Sequence, residues 1–234
     1  MSCGTERLVQ VRERIAVAAR KAGRAPDAVR LIAVSKTKPV EDIAALADLG
    51  QHDFGENQMQ EALEKIERLR GRGLEWHFIG HLQSNKARFV GEHFSWVHSV
   101  DSERLAGRIA ASVRKGNPAV RLLIQVNVFG DPAKHGVASE DLFPLLDAIL
   151  ARDLPGIRLC GLMTIGRLGG SEADTRRGFA QARRLLEACR QRFGAGFSEL
   201  SMGMSGDYQL AIEEGATMVR VGSALFGSRE SRSS

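Results

Sequence analysis

The stretch Leu31-Ile-Ala-Val-Ser-Lys36-Thr-Lys-Pro39 decides the fold, because it joins a short apolar strand to a lysine. A brief apolar run of this kind is typical of a strand buried on both faces of a parallel sheet. Proline cannot continue a central strand, so we expect the strand to end near Thr37. Lys36 is therefore predicted at the carboxyl end of a buried strand, where parallel α/β folds bind their ligands.

A lysine at such a strand end has two interpretations. Burying an ammonium group is costly, and a buried lysine lowers its pKa in response. The neutral amine is then a nucleophile toward carbonyl groups, which is Schiff-base chemistry. Alternatively, Lys36 extends its charged end into water. Taken by itself, the stretch favours this second interpretation.

Eight segments with strand character alternate with helical segments along the chain, and the first helix, Thr5–Ala22, precedes them. This alternation predicts a parallel sheet, and eight repeats in 234 residues predict a closed (β/α)8 TIM barrel with an extra N-terminal helix, spanning residues 1–234 as a single domain. An open doubly wound sheet is the alternative, and the lack of a G-x-G-x-x-G motif after an early strand weakens it. The predicted strands are Leu31–Lys36, His52–Glu56, Glu75–Gly80, Ser95–Val100, Val120–Val128, Ile157–Met163, Phe197–Met202 and Thr217–Val221.

Capping residues in the sequence mark where several of the predicted helices begin. Ser84 or Asn85 is expected to cap the helix after the third strand, and Asp101 or Ser102 the helix that runs to about Lys115. A helix is also expected to begin at Ser223. The remaining predicted helices are Val40–Leu49, Asn57–Arg70, Ser139–Ala151, Glu172–Phe193 and Tyr208–Glu214.

Composition excludes several classes of protein. The apolar fraction of 43% and the charged fraction of 26% are ordinary for a globular chain. The net charge is +5, and the arginine pairs that contribute to it lie in a helical pattern typical of a solvent-exposed helix face. An RNA-binding barrel is therefore supported by net charge alone. Three widely spaced cysteines, Cys3, Cys160 and Cys189, fit a reducing compartment. Without a signal peptide or an apolar run of about 20 residues, we expect a cytoplasmic protein with no membrane or nucleic-acid partner.

Two loops at the end of the barrel form a candidate phosphate site. Ser201-Met-Gly-Met-Ser-Gly-Asp207 follows the seventh strand, and Arg220-Val-Gly-Ser-Ala-Leu-Phe-Gly227 joins the eighth strand to a helix. Barrels often bind phosphate in the loops after these two strands. Gly222 allows a close backbone approach, and Ser223 is expected to cap the helix and offer a hydroxyl. The competing interpretation is an ordinary loop glycine and helix cap.

Lys36 and this phosphate site, on opposite sides of one barrel mouth, suggest pyridoxal phosphate as the ligand. Arg220 alternates in phase with Gly222 and is placed to reach the pyridine nitrogen. A guanidinium accepts no proton, so the ring nitrogen would stay unprotonated and the ring would be a poor electron sink. The alternative for Arg220 is an ion pair with Glu56 or Asp207.

Six segments resemble the YggS/PROSC family of pyridoxal-phosphate-binding proteins, also called pyridoxal phosphate homeostasis proteins. The resemblance covers nearly the whole chain and implies a barrel like the N-terminal domain of alanine racemase. Many family members read Gly-Glu-Asn-Tyr where this chain has Gln58, so the role of an aromatic there is open. The segments are Ala33–Pro39, Phe54–Asn57, Trp76–Lys86, Gly161–Ile165, Leu200–Ser205 and Val219–Gly227.

The resemblance also implies the residues of the binding site. It makes Lys36 the Schiff-base lysine and places the phosphate around Ser205, Gly222 and Ser223. It adds further positions that line the cofactor site, which are Asn57, His81, Met163 and Arg220. Ser201, at the end of the seventh strand, is a further candidate for cofactor binding.

Other lysines and aromatic residues need separate interpretations. Lys38 lies on the same face as Lys36 but beyond the strand end. Lys86 and Lys134 are predicted to be surface charges, with a secondary cofactor contact as an alternative for Lys134. His81 is expected to form a supporting hydrogen bond, and Tyr208, the only tyrosine, to pack at a helix start.

Two functions from different classes remain. The first is a carrier that buffers pyridoxal phosphate and delivers it to apo-enzymes, with only an indirect effect on amino-acid metabolism. The second is an amino-acid racemase, which needs an acid or base on each face of its substrate. Related racemases take a tyrosine from a second, β-rich domain, and this chain ends about ten residues after the eighth strand. We therefore expect a monomeric carrier without efficient catalysis.

Overall fold

Eight parallel strands close into a barrel in the computed structural model, which describes residues 3–167 and 169–227. Neighbouring strands pair in chain order, and the first strand closes the barrel by pairing with the eighth. The (β/α)8 prediction is confirmed, and the doubly wound alternative is wrong. The strands are β1 (Arg30–Val34), β2 (Asp53–Glu56), β3 (Glu75–Phe78), β4 (Trp96–Val100), β5 (Val120–Gln125), β6 (Ile157–Met163), β7 (Glu199–Ser201) and β8 (Met218–Val221).

Helices surround the barrel, and the extra N-terminal helix packs beside the last two. Within residues 3–167 and 169–227, no helix combines the length and the apolar character needed to cross a membrane. The helices are α1 (Cys3–Lys21), α2 (Val40–Asp48), α3 (Met59–Arg68), α4 (Val90–His93), α5 (Glu103–Ala110), α6 (Leu142–Leu150), α7 (Glu172–Phe193), α8 (Tyr208–Glu213) and α9 (Ser223–Phe226), with short 3-10 turns at Pro26–Ala28, Ala87–Phe89 and Ser139–Asp141.

The core has two layers because each strand presents alternate side chains to the barrel interior and to the helices. The larger layer lies between strands and helices. Tyr208 belongs to it at the start of α8 and is 3% exposed, which confirms its predicted packing role. The smaller layer fills the barrel interior with Ile32, Trp96, Leu123, Cys160, Met163 and Met218.

Strand β1 is shorter than predicted. It ends at Val34. The amide of Ser35 still donates to the Gly55 carbonyl of β2 over 3.0 Å, and the chain then turns at Lys36 and Thr37. The amide of Lys38 donates to the Ser35 carbonyl over 3.0 Å, and Thr37 has a φ of 63°. The left-handed conformation of Thr37 bends the chain away from the sheet, so the expectation that the strand reaches Lys36 is wrong.

The helix caps follow the prediction at one of three places. Ser102 caps α5, since its hydroxyl accepts from the Leu105 amide over 3.3 Å. The chain around Ser84 and Asn85 instead forms turns, and α4 begins later, at Val90. Gly222 is the cap of α9 and Ser223 is already helical, so the predicted Ser223 cap is wrong. Helix α5 also ends at Ala110 rather than at Lys115, because a turn follows.

Candidate functional site

A cavity of about 430 Å³ opens among the loops that follow the carboxyl ends of the strands. Its volume lies in the range of small-molecule sites, about 300 to 1,000 Å³. Part of the predicted site comes together in its wall. The predicted residues that line it are Lys36, Asn57, Ser205, Arg220, Gly222 and Ser223.

Two lysines from one turn form one side of the cavity. Lys36 and Lys38 both line it, and both side chains are partly buried. Since β1 ends at Val34, the Lys36 side chain starts from the turn above the strand rather than from the ladder. This position gives an amine access to the cavity without placing its charge in the apolar barrel interior.

The start of α9 lies beside the turn that carries Lys36, because β8 pairs with β1, so the expectation that Lys36 and the phosphate site lie on opposite sides of the barrel mouth is wrong. The Ser205 hydroxyl accepts from the amide of Gly222 over 3.2 Å and from the amide of Ala224 over 3.5 Å. An oxygen thus already occupies the position where backbone N–H groups at a helix start attract an anion. A Cβ at Gly222 would lie 3.3 Å from the Val34 carbonyl oxygen, so glycine permits the close approach of this loop to β1.

Arg220 forms the floor of the cavity and is 4% exposed. Its guanidinium donates to the Ser201 hydroxyl over 2.6 Å and to the Thr164 carbonyl over 2.9 Å. Burial lowers the pKa of Arg220 to about 10. The charge of Asp207 opposes this shift, but in the part of the chain that the structure describes no carboxylate lies within ion-pair distance of Arg220, so the alternative of an ion pair with Glu56 or Asp207 is wrong.

Asn57 carries an unsatisfied polar atom in the cavity wall. Its side-chain oxygen Oδ1 is buried and has no hydrogen-bond partner within residues 3–167 and 169–227. A buried acceptor without a donor is costly, and such atoms often mark a binding site. The neighbouring loop approaches closely, since a Cβ at Gly80 would lie 2.4 Å from the Asn57 carbonyl oxygen.

Three predicted site residues lie outside the cavity wall. Met163 and Ser201 are fully buried in the barrel, and Ser201 reaches the cavity only through Arg220. His81 is exposed, and its ring stacks on His135 with centroids 3.9 Å apart. His81 therefore lies outside the cavity, in a neighbouring depression that shares Asn57 with it.

The remaining lysines and Gln58 also lie outside this cavity. The Lys134 ammonium donates to the Gly166 carbonyl over 2.6 Å, so it holds a neighbouring loop rather than extending as a free surface charge. Lys86 and Gln58 line a separate depression beside His81. Gln58 is exposed and precedes α3 without a side-chain capping bond.

A buried charge cluster beneath the turn was not predicted. The Lys65 ammonium, on α3, donates to the Ser35 carbonyl over 2.7 Å and to one Glu56 oxygen over 2.8 Å. It also donates to Glu61 over 2.5 Å, and the same Glu61 oxygen accepts from the Thr37 amide over 2.5 Å. The cluster therefore fixes the backbone immediately before and after Lys36.

Electrostatics make this cluster sensitive to any loss of charge. Burial raises the pKa of Glu56, and the hydrogen bonds from Lys65 and Ser35 oppose that shift without cancelling it. The Ser35 hydroxyl donates to Glu56 over 2.6 Å. The helical pattern of α3 suggests an exposed Lys65, so the sequence carries no signal for this buried contact.

Comparison with known proteins places the cavity in context. Residues 7–230 match the model of the family described as "Alanine racemase, N-terminal domain". A pyridoxal phosphate homeostasis protein of Pseudomonas aeruginosa is 46% identical over 98% of this chain and 97% of its own length. The corresponding protein of Escherichia coli K12 is 43% identical over 95% of each chain.

A solved structure also resembles this protein. PipY of Synechococcus elongatus, with pyridoxal phosphate bound, superposes with a TM-score of 0.81 at 39% identity. The match covers 96% of this chain and 100% of PipY. The similarity thus extends over nearly the whole chain.

Proposed function

The chain belongs to the alanine racemase N-terminal domain family and, within it, to the pyridoxal phosphate homeostasis proteins, and we propose that it binds pyridoxal 5'-phosphate and maintains its supply. A single observation carries the proposal. One cavity is lined both by Lys36, just after β1, and by the anion-attracting loops of Ser205 and Gly222, which follow β7 and the neighbouring strand β8. An aldehyde and a phosphate on one small molecule match these two features.

The residues present fit this ligand. The unpartnered Asn57 oxygen offers an acceptor to a hydroxyl group, and Arg220 offers N–H donors toward a ring nitrogen. The positive charges of Lys36, Lys38 and Arg220 favour a doubly charged phosphate. When bound, pyridoxal phosphate supplies an aldehyde that condenses with amines and a ring that draws electrons from the bond so formed.

We assign roles to the residues as follows. Lys36 provides the amine, Asn57 and Arg220 contact the ring, and the loops of Ser205, Gly222 and Ser223 hold the phosphate. Met163 and Ser201 support the site from within the barrel. A direct contact from His81 stays a prediction, because its side chain lies outside the cavity wall.

The proposed role is that of a carrier without efficient amino-acid turnover. Racemisation needs an acid or base on each face of the substrate. Among the described residues, the groups in the cavity wall that exchange protons are Lys36 and Lys38, which come from one turn, and the strongly basic Arg220. Arg220 only donates hydrogen bonds, so it favours an unprotonated ring nitrogen and a weak electron sink. Delivery to apo-enzymes, a monomeric state and a cytoplasmic location stay predictions.

The loaded protein is expected to exchange the α-proton of L-alanine slowly or not at all in deuterated water. Mass spectrometry of the amino acid over time measures this exchange. A rate in the common enzyme range of about 1 to 10³ per second would contradict the carrier role and support a racemase. Transfer of the ligand to an apo-enzyme, measured in the same preparation by the recovered activity, would support the carrier role.

Unphosphorylated pyridoxal is expected to bind at least about tenfold more weakly than pyridoxal phosphate. The amides of Gly222 and Ala224 donate to the neutral Ser205 hydroxyl, and a phosphate in its place would accept charge-assisted hydrogen bonds, each of about 1.5 to 3 kcal/mol. One such bond exceeds the 1.4 kcal/mol that corresponds to about a tenfold change in affinity. Absorbance titration of the two ligands provides the comparison, and equal dissociation constants would show that the phosphate site is elsewhere.

A further inference from the structure

A continuous series of hydrogen bonds crosses the barrel interior below Arg220. Asp53, at the start of β2, contacts His77 of β3 over 2.9 Å, and His77 contacts His98 of β4 over 3.0 Å. His98 contacts the Ser201 hydroxyl of β7 over 2.9 Å, and Ser201 accepts from Arg220 over 2.6 Å. We call these five residues the interior network.

The interior network connects the two ends of the barrel. Asp53 lies at the amino end of its strand, where it also pairs with Arg30 over 2.8 Å. Arg220 lies at the other end, in the floor of the cavity. His77, His98 and Ser201 between them are all 0% exposed, so water does not compete for their hydrogen bonds.

The chemistry of Asp53 fixes the direction of every bond. An ionised carboxylate only accepts, so Nε2 of His77 must carry a hydrogen, and a neutral His77 then accepts at Nδ1. Nε2 of His98 must supply that hydrogen, which leaves its Nδ1 as the acceptor for the Ser201 hydroxyl. Ser201 is then free to accept from Arg220, which only donates.

The charges of the surroundings agree with neutral imidazoles. Burial lowers the pKa of His77 despite its hydrogen bond to Asp53, and burial lowers the pKa of His98 strongly, with the charges of Arg220 and Arg30 adding to the effect. Burial acts to raise the pKa of Asp53, but the hydrogen bonds from His77 and Arg30 outweigh it, so this carboxylate stays ionised.

We propose that Asp53, His77, His98 and Ser201 are positioning residues, which hold Arg220 in one orientation as a donor to the cavity. No carboxylate among the described residues pairs with the guanidinium, which is held by the Ser201 hydroxyl and the Thr164 carbonyl. The Ser201 hydroxyl can serve as acceptor in a single orientation because the two imidazoles and Asp53 determine where its own hydrogen points. The hydrogen-bond directions are a property of the protein alone, whereas the effect on ligand affinity rests on the proposed function.

Nitrogen NMR of histidine-labelled protein without ligand tests the hydrogen-bond directions. His77 and His98 are both expected as neutral tautomers with hydrogen on Nε2, and single histidine substitutions assign the signals among the six histidines. A hydrogen on Nδ1 of either residue, or a charged imidazolium near neutral pH, would overturn the proposal. This measurement does not depend on whether pyridoxal phosphate binds.

Ser201→Ala tests the positioning of Arg220, and Ser99→Ala is its matched control. Ser99 is also a fully buried barrel serine, but its hydroxyl has no partner within residues 3–167 and 169–227 and lies outside the interior network. Ser201→Ala is expected to weaken pyridoxal phosphate binding about tenfold and to shift the His98 signals, since one hydrogen bond to a charged group is lost. Ser99→Ala should change neither quantity.

The outcomes separate the two proposals. Unchanged affinity in Ser201→Ala would overturn the positioning role even if the tautomers are as expected. Failure of the unaltered protein to bind pyridoxal phosphate would instead contradict the proposed function. The NMR result would still test the hydrogen-bond directions in the interior network.

Discussion

Substitution of Lys36 by alanine is expected to eliminate the covalent adduct that borohydride fixes between this protein and pyridoxal phosphate. Lys36 lines the same cavity as the anion-attracting loops of Ser205 and Gly222. The backbone on both sides of it is held, at Ser35 by Lys65 and at Thr37 by Glu61. A fixed backbone places the amine at one position, which favours reaction of this lysine over its neighbours.

Lys38→Ala is the matched control, because Lys38 lines the same cavity and carries the same charge. It is the last residue of the turn, beside Pro39 and after the two positions that Lys65 and Glu61 hold, so we expect the adduct to persist in this variant. Reduction with borohydride, digestion and peptide mass mapping locate the modified residue. An adduct mainly on Lys38, Lys86 or Lys134 in the unaltered protein would show that the assignment of Lys36 is wrong.

The barrel could be predicted from sequence because each strand and helix carries its own local pattern. Strand β6 and helix α7 have the predicted bounds, Ile157–Met163 and Glu172–Phe193, since an apolar run and a capped amphipathic pattern mark them clearly. Strand β7 is shorter than predicted, because the apolar character of its flanks reflects packing in the core rather than hydrogen bonding in the sheet.

The ends of elements were harder to predict, because contacts from distant residues set them. The turn at Ser35–Thr37 depends on Lys65 and Glu61 from a helix about thirty residues later in the chain. The start of α9 depends on packing of the preceding glycine against Val34, which the local sequence does not encode.

The polar interior of the barrel was missed for a different reason. His77 and His98 occur in strands of four and five residues, too short for alternation to separate the inward from the outward face. A signal does exist, since each is a polar residue within an aromatic and apolar strand. Only the closed barrel, however, brings β3, β4 and β7 close enough for these residues and Ser201 to meet.

The buried ammonium of Lys65 leads to the second large prediction. It is 4% exposed, and all three of its donor positions are used, by the Ser35 carbonyl and by Glu56 and Glu61. Glu56 is 0% exposed, and its other oxygen has no partner within the described residues. Lys65 is therefore the only cation that compensates the Glu56 charge within residues 3–167 and 169–227.

Lys65→Met is expected to lower the free energy of unfolding by about 3 to 5 kcal/mol near neutral pH. Methionine retains most of the apolar stem but leaves Glu56 as an unpaired buried charge, and breaking a buried pair on one side has a cost of this size. Guanidinium unfolding followed by circular dichroism measures the change. The matched control is Lys21→Met, because the Lys21–Glu213 pair is equally short but the Lys21 side chain is 66% exposed, so it should cost no more than about 1 kcal/mol.

The destabilisation by Lys65→Met should grow as the pH rises from about 4 to 7. The pKa of Glu56 is raised in the folded protein by burial, and loss of Lys65 removes an interaction that opposes this shift. In the folded variant, Glu56 then keeps its proton at pH values at which the same carboxyl in the unfolded chain, with a pKa of about 4.3, has already lost it. Because the folded state binds more protons in this range, its stability falls with rising pH, whereas at lower pH both states are protonated and the penalty is smallest.

Adding Glu56→Gln to Lys65→Met removes the buried charge and should recover part of the lost stability at pH 7. A destabilisation that does not change with pH, or that the second substitution increases, would show that Lys65 contributes through packing rather than through its charge.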